Sequence, residues 1–238
     1  VDVEQAGRRL GRPGREPPHP NVHSWPVGAS QKKRHIPIEE KARVITHYSS
    51  GIDGGLNASI AQEAKTLQYM TLAQAVWVAA RWRERGADVF AFKVDLKDAF
   101  RILQVAAEDL HLQGIHVRRH GRDEYYVDGH LGFGTGSGPR IFDSFASAVH
   151  WILERRCREA GAVIRLFHLL DDFLFIALSK ADALMAQKVK DALFIELGIP
   201  EQLEKRCAPT RRLEFLGILL DFERATLGLP RDKRERLL

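Results

Sequence analysis

The sequence predicts an α+β fold in which helices cover one face of an antiparallel sheet. Two observations predict it. From Val89 onward the order is strand, paired strands, helix, hairpin, helix, with no parallel crossover unit among them. Glycine or proline punctuates the ends of the long helical patterns, at Gly86, Pro139, Gly161, Gly198 and Pro230.

Each element has a local reason. Residues 1–35 hold seven basic against three acidic residues, a net of +4, together with Pro13, Pro17, Pro18, Pro20 and Pro26. That composition reads as a flexible basic arm or linker without regular structure. From Ile36 the apolar pattern becomes globular, and residues 36–90 form the next segment. Within it Thr71 caps a helix with Leu72, Ala75, Val76 and Ala79 on one face, closed by Gly86. Val89-Phe90-Ala91-Phe92-Lys93-Val94-Asp95 is a strand by composition and ends on a carboxylate. Two strand-like runs around Ile115 and Tyr125-Tyr126-Val127 follow, with Arg118, Arg119, Gly121 and Arg122 as a basic turn between them.

Pro139 opens a long helix where its missing N–H costs least, with Ile141, Phe142, Phe145, Val149 and Ile152 as its core face. Residues 163–178 read as two apolar strands interrupted only by Asp171-Asp172. A third helix spans about 181–197, residues 213–220 and 226–229 look like a final hairpin, and Pro230 begins a short charged helix. The expected partition is an arm at 1–35, a segment at 36–90, the main layer at 91–229 and the start of another element at 230–238.

Composition narrows the function classes. The 238 residues carry 36 Lys+Arg against 31 Asp+Glu, a formal charge of +5, with 45% hydrophobic and 28% charged residues, which is globular rather than disordered. Outside the arm the net charge is only +1, so charge alone says little about nucleic acid. No apolar run approaches the ~18–20 residues a membrane helix needs, and the first 35 residues lack a signal-like apolar stretch. Cys157 and Cys207 stand alone, so a reducing, intracellular location, cytoplasm or nucleus, is expected. The chain begins with Val rather than Met and is expected to be a piece of something longer.

The informative observation is a pair of carboxylates inside a strongly apolar hairpin. Asp171 and Asp172 sit between His168-Leu169-Leu170 and Phe173-Leu174-Phe175-Ile176. One reading is a simple two-residue turn, since Asp favours turns. The other is a cation site: adjacent like charges repel unless neutralised, and Mg²⁺ binds through one or two carboxylates plus substrate phosphates. Asp95 ends a strand in a comparable setting, with Asp98 three residues on as an ordinary strand-end or capping residue. If the two strands are neighbours, three carboxylates converge and could hold two Mg²⁺ ions ~3.5–4 Å apart, as in-line phosphoryl chemistry requires. The glycine-rich run 131–139 leads into the second helix and lets backbone approach a flat or anionic ligand. It is neither a Walker loop nor a Rossmann fingerprint.

Together these segments resemble the reverse transcriptase family. Phe92-Lys93-Val94-Asp95-Leu96-Lys97-Asp98-Ala99-Phe100 resembles the motif with the first catalytic Asp. Residues 131–142 resemble LPFGL-x-x-[AS]-P-x-x-F, and Leu169-Leu170-Asp171-Asp172-Phe173-Leu174 resembles the [YF]-x-D-D box. Leu203-Glu204-Lys205 and Leu213-Glu214-Phe215-Leu216-Gly217 are similar to the later lysine-bearing and FLG motifs. Upstream, Lys41-Ala42-Arg43-Val44-Ile45 resembles the fingers segment, and Gly55-Leu56-Asn57-Ala58-Ser59-Ile60 resembles G-x-x-V-N-x-x-I. The match runs in the family's order over about residues 36–238. Its nearest flavour is the retrotransposon group that carries a tyrosine recombinase (DIRS-like elements).

The resemblance implies an RNA-directed DNA polymerase with a ferredoxin-like palm at 91–229 in which some fingers residues are interleaved, fingers at 36–90, and a thumb largely absent apart from its truncated start at 230–238. It implies Asp95, Asp171 and Asp172 as ligands of two Mg²⁺ ions, with Mn²⁺ as a substitute, and Lys205 as a proton donor to pyrophosphate. Lys41 and Arg43 would contact the incoming triphosphate. Phe100 would stand against a ribose 2′-OH and so favour dNTPs, with core packing as its alternative role. Phe133 and Gly134 would line the nucleotide pocket. Implied partners are an RNA or DNA template with primer, dNTPs, and further polyprotein domains (thumb, RNase H, recombinase), with no membrane. Departures from the pattern are Leu169 for the usual aromatic, Gly132 for Pro, Thr135-Gly136 for a larger pair, and His47 for a frequent Asp. Two competing readings are a decayed or co-opted relative that binds nucleic acid without catalysis, and an RRM-like RNA-binding module. The second lacks any RNP-type run and leaves the paired Asp without a purpose.

Overall fold

The computed structural model of the chain describes residues 10, 14–18, 20–31, 42–51 and 53–235. In chain order the elements are β1 (Ser24–Gln31), β2 (Ala42–Thr46), α1 (Gly55–Ser59), α2 (Leu72–Arg83), β3 (Phe90–Asp95), β4 (Gly114–Arg119) and β5 (Arg122–Val127). They continue with α3 (Gly138–Glu159), β6 (Ile164–Leu169), β7 (Asp172–Ala177), α4 (Lys180–Leu197), β8 (Arg212–Phe215), β9 (Ile218–Asp221), β10 (Thr226–Gly228) and α5 (Arg231–Glu235). Among the described residues no helix is long and apolar enough to cross a membrane.

The chain forms two compact units, Val1–Leu67 with Asp98–Phe142, and Gln68–Lys97 with Asp143–Leu238. The first holds a four-stranded sheet in the order β2-β1-β4-β5. β1 runs antiparallel to β2 and, over Ser24 to Pro26, parallel to β4. The β4–β5 turn is His120-Gly121 with φ of 50° and 75°, the left-handed pair that a two-residue turn needs between twisted strands. Arg118 and Arg119 therefore lie in β4 rather than in the turn.

The second unit is built on β3-β7-β6, with β7 in the middle. Phe173, Leu174, Phe175, Ile176 and Ala177 are all fully buried, so both faces of β7 are covered. Each such large side chain contributes roughly 1.5–3 kcal/mol of burial. Phe92 stacks on Phe175 with centroids 4.4 Å apart. Ala75 and Ala79 of α2 pack into the same core as Leu174, Ile176, Leu213 and Leu220. The α2 start is a capping box between Thr71 and Gln74, and Ser179 caps α4 by accepting from the Asp182 N–H.

Antiparallel sheets with packed helices bear out the α+β expectation, with three corrections. Ser24–Gln31 is a strand, although it falls inside the segment expected to lack regular structure, and Gly14 pairs with Tyr125 while Leu10 pairs with Asp128. Its order comes from pairing with distant β2 and β4, which local composition does not reveal. Lys32, Lys33, Arg34 and the first nine residues of that segment lie outside the described residues. Helix α2 belongs to the unit of β3 and β7 although it lies within 36–90, so a boundary at 90 does not follow the packing, while residues 98–142 group with the earlier strands inside the span 91–229, where interleaved residues of that segment are expected. The final hairpin is a three-stranded sheet, β10-β9-β8, because Leu216-Gly217 supplies a second left-handed turn at φ of 50° and 75°.

Candidate functional site

In the second unit the register of β3 and β7 places Asp95 directly opposite Asp172. β6 and β7 pair from Leu169↔Asp172 outward, leaving Leu170-Asp171 as a two-residue turn. The turn reading therefore holds shifted by one residue: Leu170-Asp171 makes the turn, and Asp172 starts the strand beside Asp95. Leu170 sits at φ 55°, a left-handed conformation that a leucine adopts rarely. The turn is fixed in it by the pairing of β6 with buried β7 and by the Leu96 N–H, which donates to the Asp171 carbonyl at 3.1 Å.

Electrostatics at this end of the sheet favour a cation. Burial, and then the charges of Asp171 and Asp95, raise the Asp172 carboxyl from 3.8 to about 6. Lys205 and Lys93 offset part of that rise. The Lys205 ammonium is paired with Asp95 Oδ2, while the Lys93 Nζ donates to the Glu214 carbonyl at 2.7 Å. Among the described residues no three His, Cys, Asp or Glu side chains are arranged to hold a metal ion on their own. Mg²⁺ does not ask for such a cage, because it keeps waters and takes substrate phosphates as ligands. The donor set fits it: hard carboxylate oxygens, one of which burial and then its neighbours' charges make costlier to ionise, so that a bound cation would be stabilised there.

In the first unit the glycine-rich run is held by contacts that its own sequence does not announce. Asn57 donates to Ser49 Oγ at 2.8 Å and to the Gly134 carbonyl at 3.0 Å, and accepts from the Gly136 N–H at 2.7 Å. The Thr46 N–H donates to the Phe133 carbonyl at 3.0 Å. Gly134 has φ 113°, and a Cβ there would stand 2.1 Å from the Thr46 carbonyl oxygen, so only glycine fits. Phe100 stacks on buried Phe142 at 5.1 Å and tilts against Phe133 at 5.3 Å, remaining half-buried. Core packing thus accounts for one side of its ring. Buried Arg101 makes a bidentate pair with Asp128 at 2.7 and 2.8 Å and reaches the His130 carbonyl at 3.1 Å, which fixes the approach to the run. Burial and the Asp128 charge raise the Tyr48 hydroxyl to about 12, and its O–H donates to Gln113 Oε1 at 2.7 Å.

The structure thus brings Asp95, Asp171, Asp172 and Lys205 together in the second unit, and Phe100, Phe133 and Gly134 in the first. Arg43 lies in β2 opposite Ser30, and the description stops at its backbone; Lys41 lies outside the described residues. Asn57 and the Arg101–Asp128 pair are the residues that sequence reasoning missed. Asn57 stands in a quoted motif, but its partners lie 77 and 79 residues away.

No family model and no curated protein matches the chain. Solved structures do. The foamy viral protease-reverse transcriptase in complex with an RNA/DNA hybrid matches with a TM-score of 0.67 at 14% identity, over 99% of this chain and 26% of that one. The same kind of protein in complex with dsDNA matches with a TM-score of 0.65 at 14% identity, over 99% and 41%. Apo telomerase from Candida tropicalis, truncated from its C-terminal domain, matches with a TM-score of 0.53 at 13% identity, over 68% and 40%. The chain thus spans between about a quarter and two fifths of these structures' length. At such identity the likeness is one of fold: this is a mixed α+β chain with the palm-like fold of reverse transcriptases.

Proposed function

We propose that the chain is the fingers and palm of an RNA-directed DNA polymerase, which adds dNTPs to a primer 3′-OH paired to a template. The observation that carries this reading is the Asp95↔Asp172 apposition with Asp171 in the adjoining turn, on a reverse-transcriptase-like palm. A retroelement origin, of the recombinase-bearing kind, with thumb and RNase H elsewhere in a longer protein and an intracellular site of action, goes with the same reading.

In the reaction the primer 3′-OH gives its proton to water, its oxygen attacks the α-phosphorus of the dNTP, and the bond to pyrophosphate breaks as the new P–O bond forms. Asp95, Asp171 and Asp172 would hold two Mg²⁺ ions, or Mn²⁺ in their place, which supply the charge that acidifies the 3′-OH and steadies the leaving pyrophosphate. Lys205 gives a proton to the leaving oxygen and regains one from water. By the family resemblance Arg43 and Lys41 would contact the triphosphate, Phe100 would favour dNTPs by standing against the sugar 2′ position, and Phe133 with Gly134 would line the nucleotide pocket. The Asn57 clamp and the Arg101–Asp128 pair hold that loop in one shape. A binder without catalysis is the less favoured reading, since the apposition of Asp95 and Asp172 beside Asp171 supports metal chemistry at this end of the sheet.

Incubation of the chain with a labelled primer on RNA and DNA templates, dNTPs and Mg²⁺ or Mn²⁺ tests the proposal. Extension that a chelator abolishes supports it; absence of dNTP incorporation on both templates with both metals overturns it.

A further inference from the structure

Lys205 reaches Asp95 from a segment with almost no secondary structure of its own. Residues 200–207 contain only the 3₁₀ turn Leu203–Lys205, and Lys205 itself is about half exposed. A long flexible side chain on such a segment would ordinarily wander. Two sets of contacts prevent that. On one side the segment is stitched to the end of β3: the Lys97 N–H donates to the Pro200 carbonyl, the Gln202 N–H donates to the Asp95 carbonyl, both at 2.9 Å, and Leu96 pairs with Glu201.

On the other side a single stripe of α4 holds it. Gln187, Lys190, Asp191 and Phe194 recur at helical spacing and so share one face. Gln187 donates to the Cys207 carbonyl at 3.0 Å, and Asp191 accepts from Arg206 at 2.5 Å. Lys190 is 1% exposed and pairs with Glu201 and with the neighbouring Asp191, each at 2.5 Å, with its ammonium 5.4 Å from the Phe194 ring. A lysine buried this deeply is unusual and persists only when paired. Glu201 Oε1 is buried without a hydrogen-bond partner among the described residues, so the close Lys190 pair at Oε2, with the Arg206 guanidinium farther off at 3.8 Å, is what holds this carboxylate in place.

We propose that Glu201, through its buried ion pair with Lys190, is a positioning residue that sets where Lys205 stands relative to Asp95. This rests on the polymerase reading for its effect on rate, though not for the contact itself. Glu201 does not touch the reacting atoms. It pins the first residues of the segment between α4 and β3, four residues before the lysine, and the Asp191–Arg206 pair pins the other end. A loosened segment lets Lys205 leave Asp95 and misses the leaving group in most turnovers.

The test is a double-mutant cycle in the full 238-residue chain. General acids contribute about 10²–10⁴-fold, so Glu201→Gln, which loosens rather than deletes one, is expected to lower kcat about tenfold with the dNTP KM within about twofold. In a Lys205→Ala background the same substitution should change kcat less than about twofold, because there is no lysine left to position. A loss that persists in that background, or an unchanged kcat in Glu201→Gln, overturns the proposal. If Glu201→Gln does not fold, as a thermal melt reports, Asp191→Asn takes its place in the cycle with the same expectation. An independent readout is the Lys205 ε-methylene NMR signal in the metal-free chain. It should move in Glu201→Gln, or in Asp191→Asn where that variant stands in, in the direction it moves in Asp95→Asn. A stationary signal overturns the proposal. A wild-type chain that adds no nucleotide sinks the polymerase reading, and the NMR signal then decides the positioning role alone.

Discussion

Replacing Asp172 by Asn should make the folded chain more stable at neutral pH. Burial and the neighbouring charges of Asp171 and Asp95 raise the Asp172 carboxyl from 3.8 to about 6. At 1.36 kcal/mol per tenfold change in proton affinity, ionising it at pH 7.5 costs the fold roughly 3 kcal/mol. The residue is half-buried, and solvent screening reduces this to about 2 kcal/mol. Between pH ~4 and ~6 the folded chain keeps a proton that the unfolded chain has released. Stability therefore falls as pH rises through that window and stays lower above it. Asn carries no charge and escapes the loss. At ~2–4 °C per kcal/mol for a chain of this size, Asp172→Asn should melt about 4–8 °C above wild type at pH 7.5, with the gap closing near pH 4. Circular dichroism melts at both pH values, in low salt with a chelator, measure it. Equal midpoints at pH 7.5, or a gap that survives at pH 4, would refute the electrostatic account of this site.

Other substitutions probe the first unit. Gly134→Ala puts a Cβ 2.1 Å from the Thr46 carbonyl oxygen at φ 113° and should lower the urea midpoint by the equivalent of at least about 2 kcal/mol. Asn57→Ala removes three hydrogen bonds and leaves the Gly136 N–H without its acceptor, a loss of about 1–3 kcal/mol by the same measurement. Arg101→Met strands buried Asp128 and should cost about 3–5 kcal/mol, while the Arg101→Met/Asp128→Leu pair should recover most of it in denaturant melts.

What the sequence made legible was whatever has a local cause. Thr71 and Gly198 mark helix ends through backbone chemistry confined to one turn, and α2 begins and α4 ends where they stand. Asp171 and Asp172 were conspicuous because charge inside an apolar run needs a reason, and the β3–β7 register supplied the neighbour, Asp95. Long-range causes were illegible. Ser24–Gln31, with Pro26 and Gly28 in it, has little strand character until β2 and β4 flank it. The discontinuous units depend on which distant segments pack, as Ala75 and Ala79 do against Leu213 and Leu220. Lys190 has the local sequence of a solvated helix lysine, and its pairing with the distant Glu201, beside neighbouring Asp191, turns it inward.

The central claim is that the carboxylates at the β3–β7 end of the palm perform nucleotide addition. Single-nucleotide extension of a labelled primer by wild type and by Asp171→Asn, both shown folded by thermal melt, tests it most directly. Removing an essential ligand or charge in such a site costs on the order of 10²-fold or more. The account predicts metal-dependent addition by wild type and a loss of at least that size in Asp171→Asn. Equal rates in the two proteins, or no addition by the folded wild type, would contradict it.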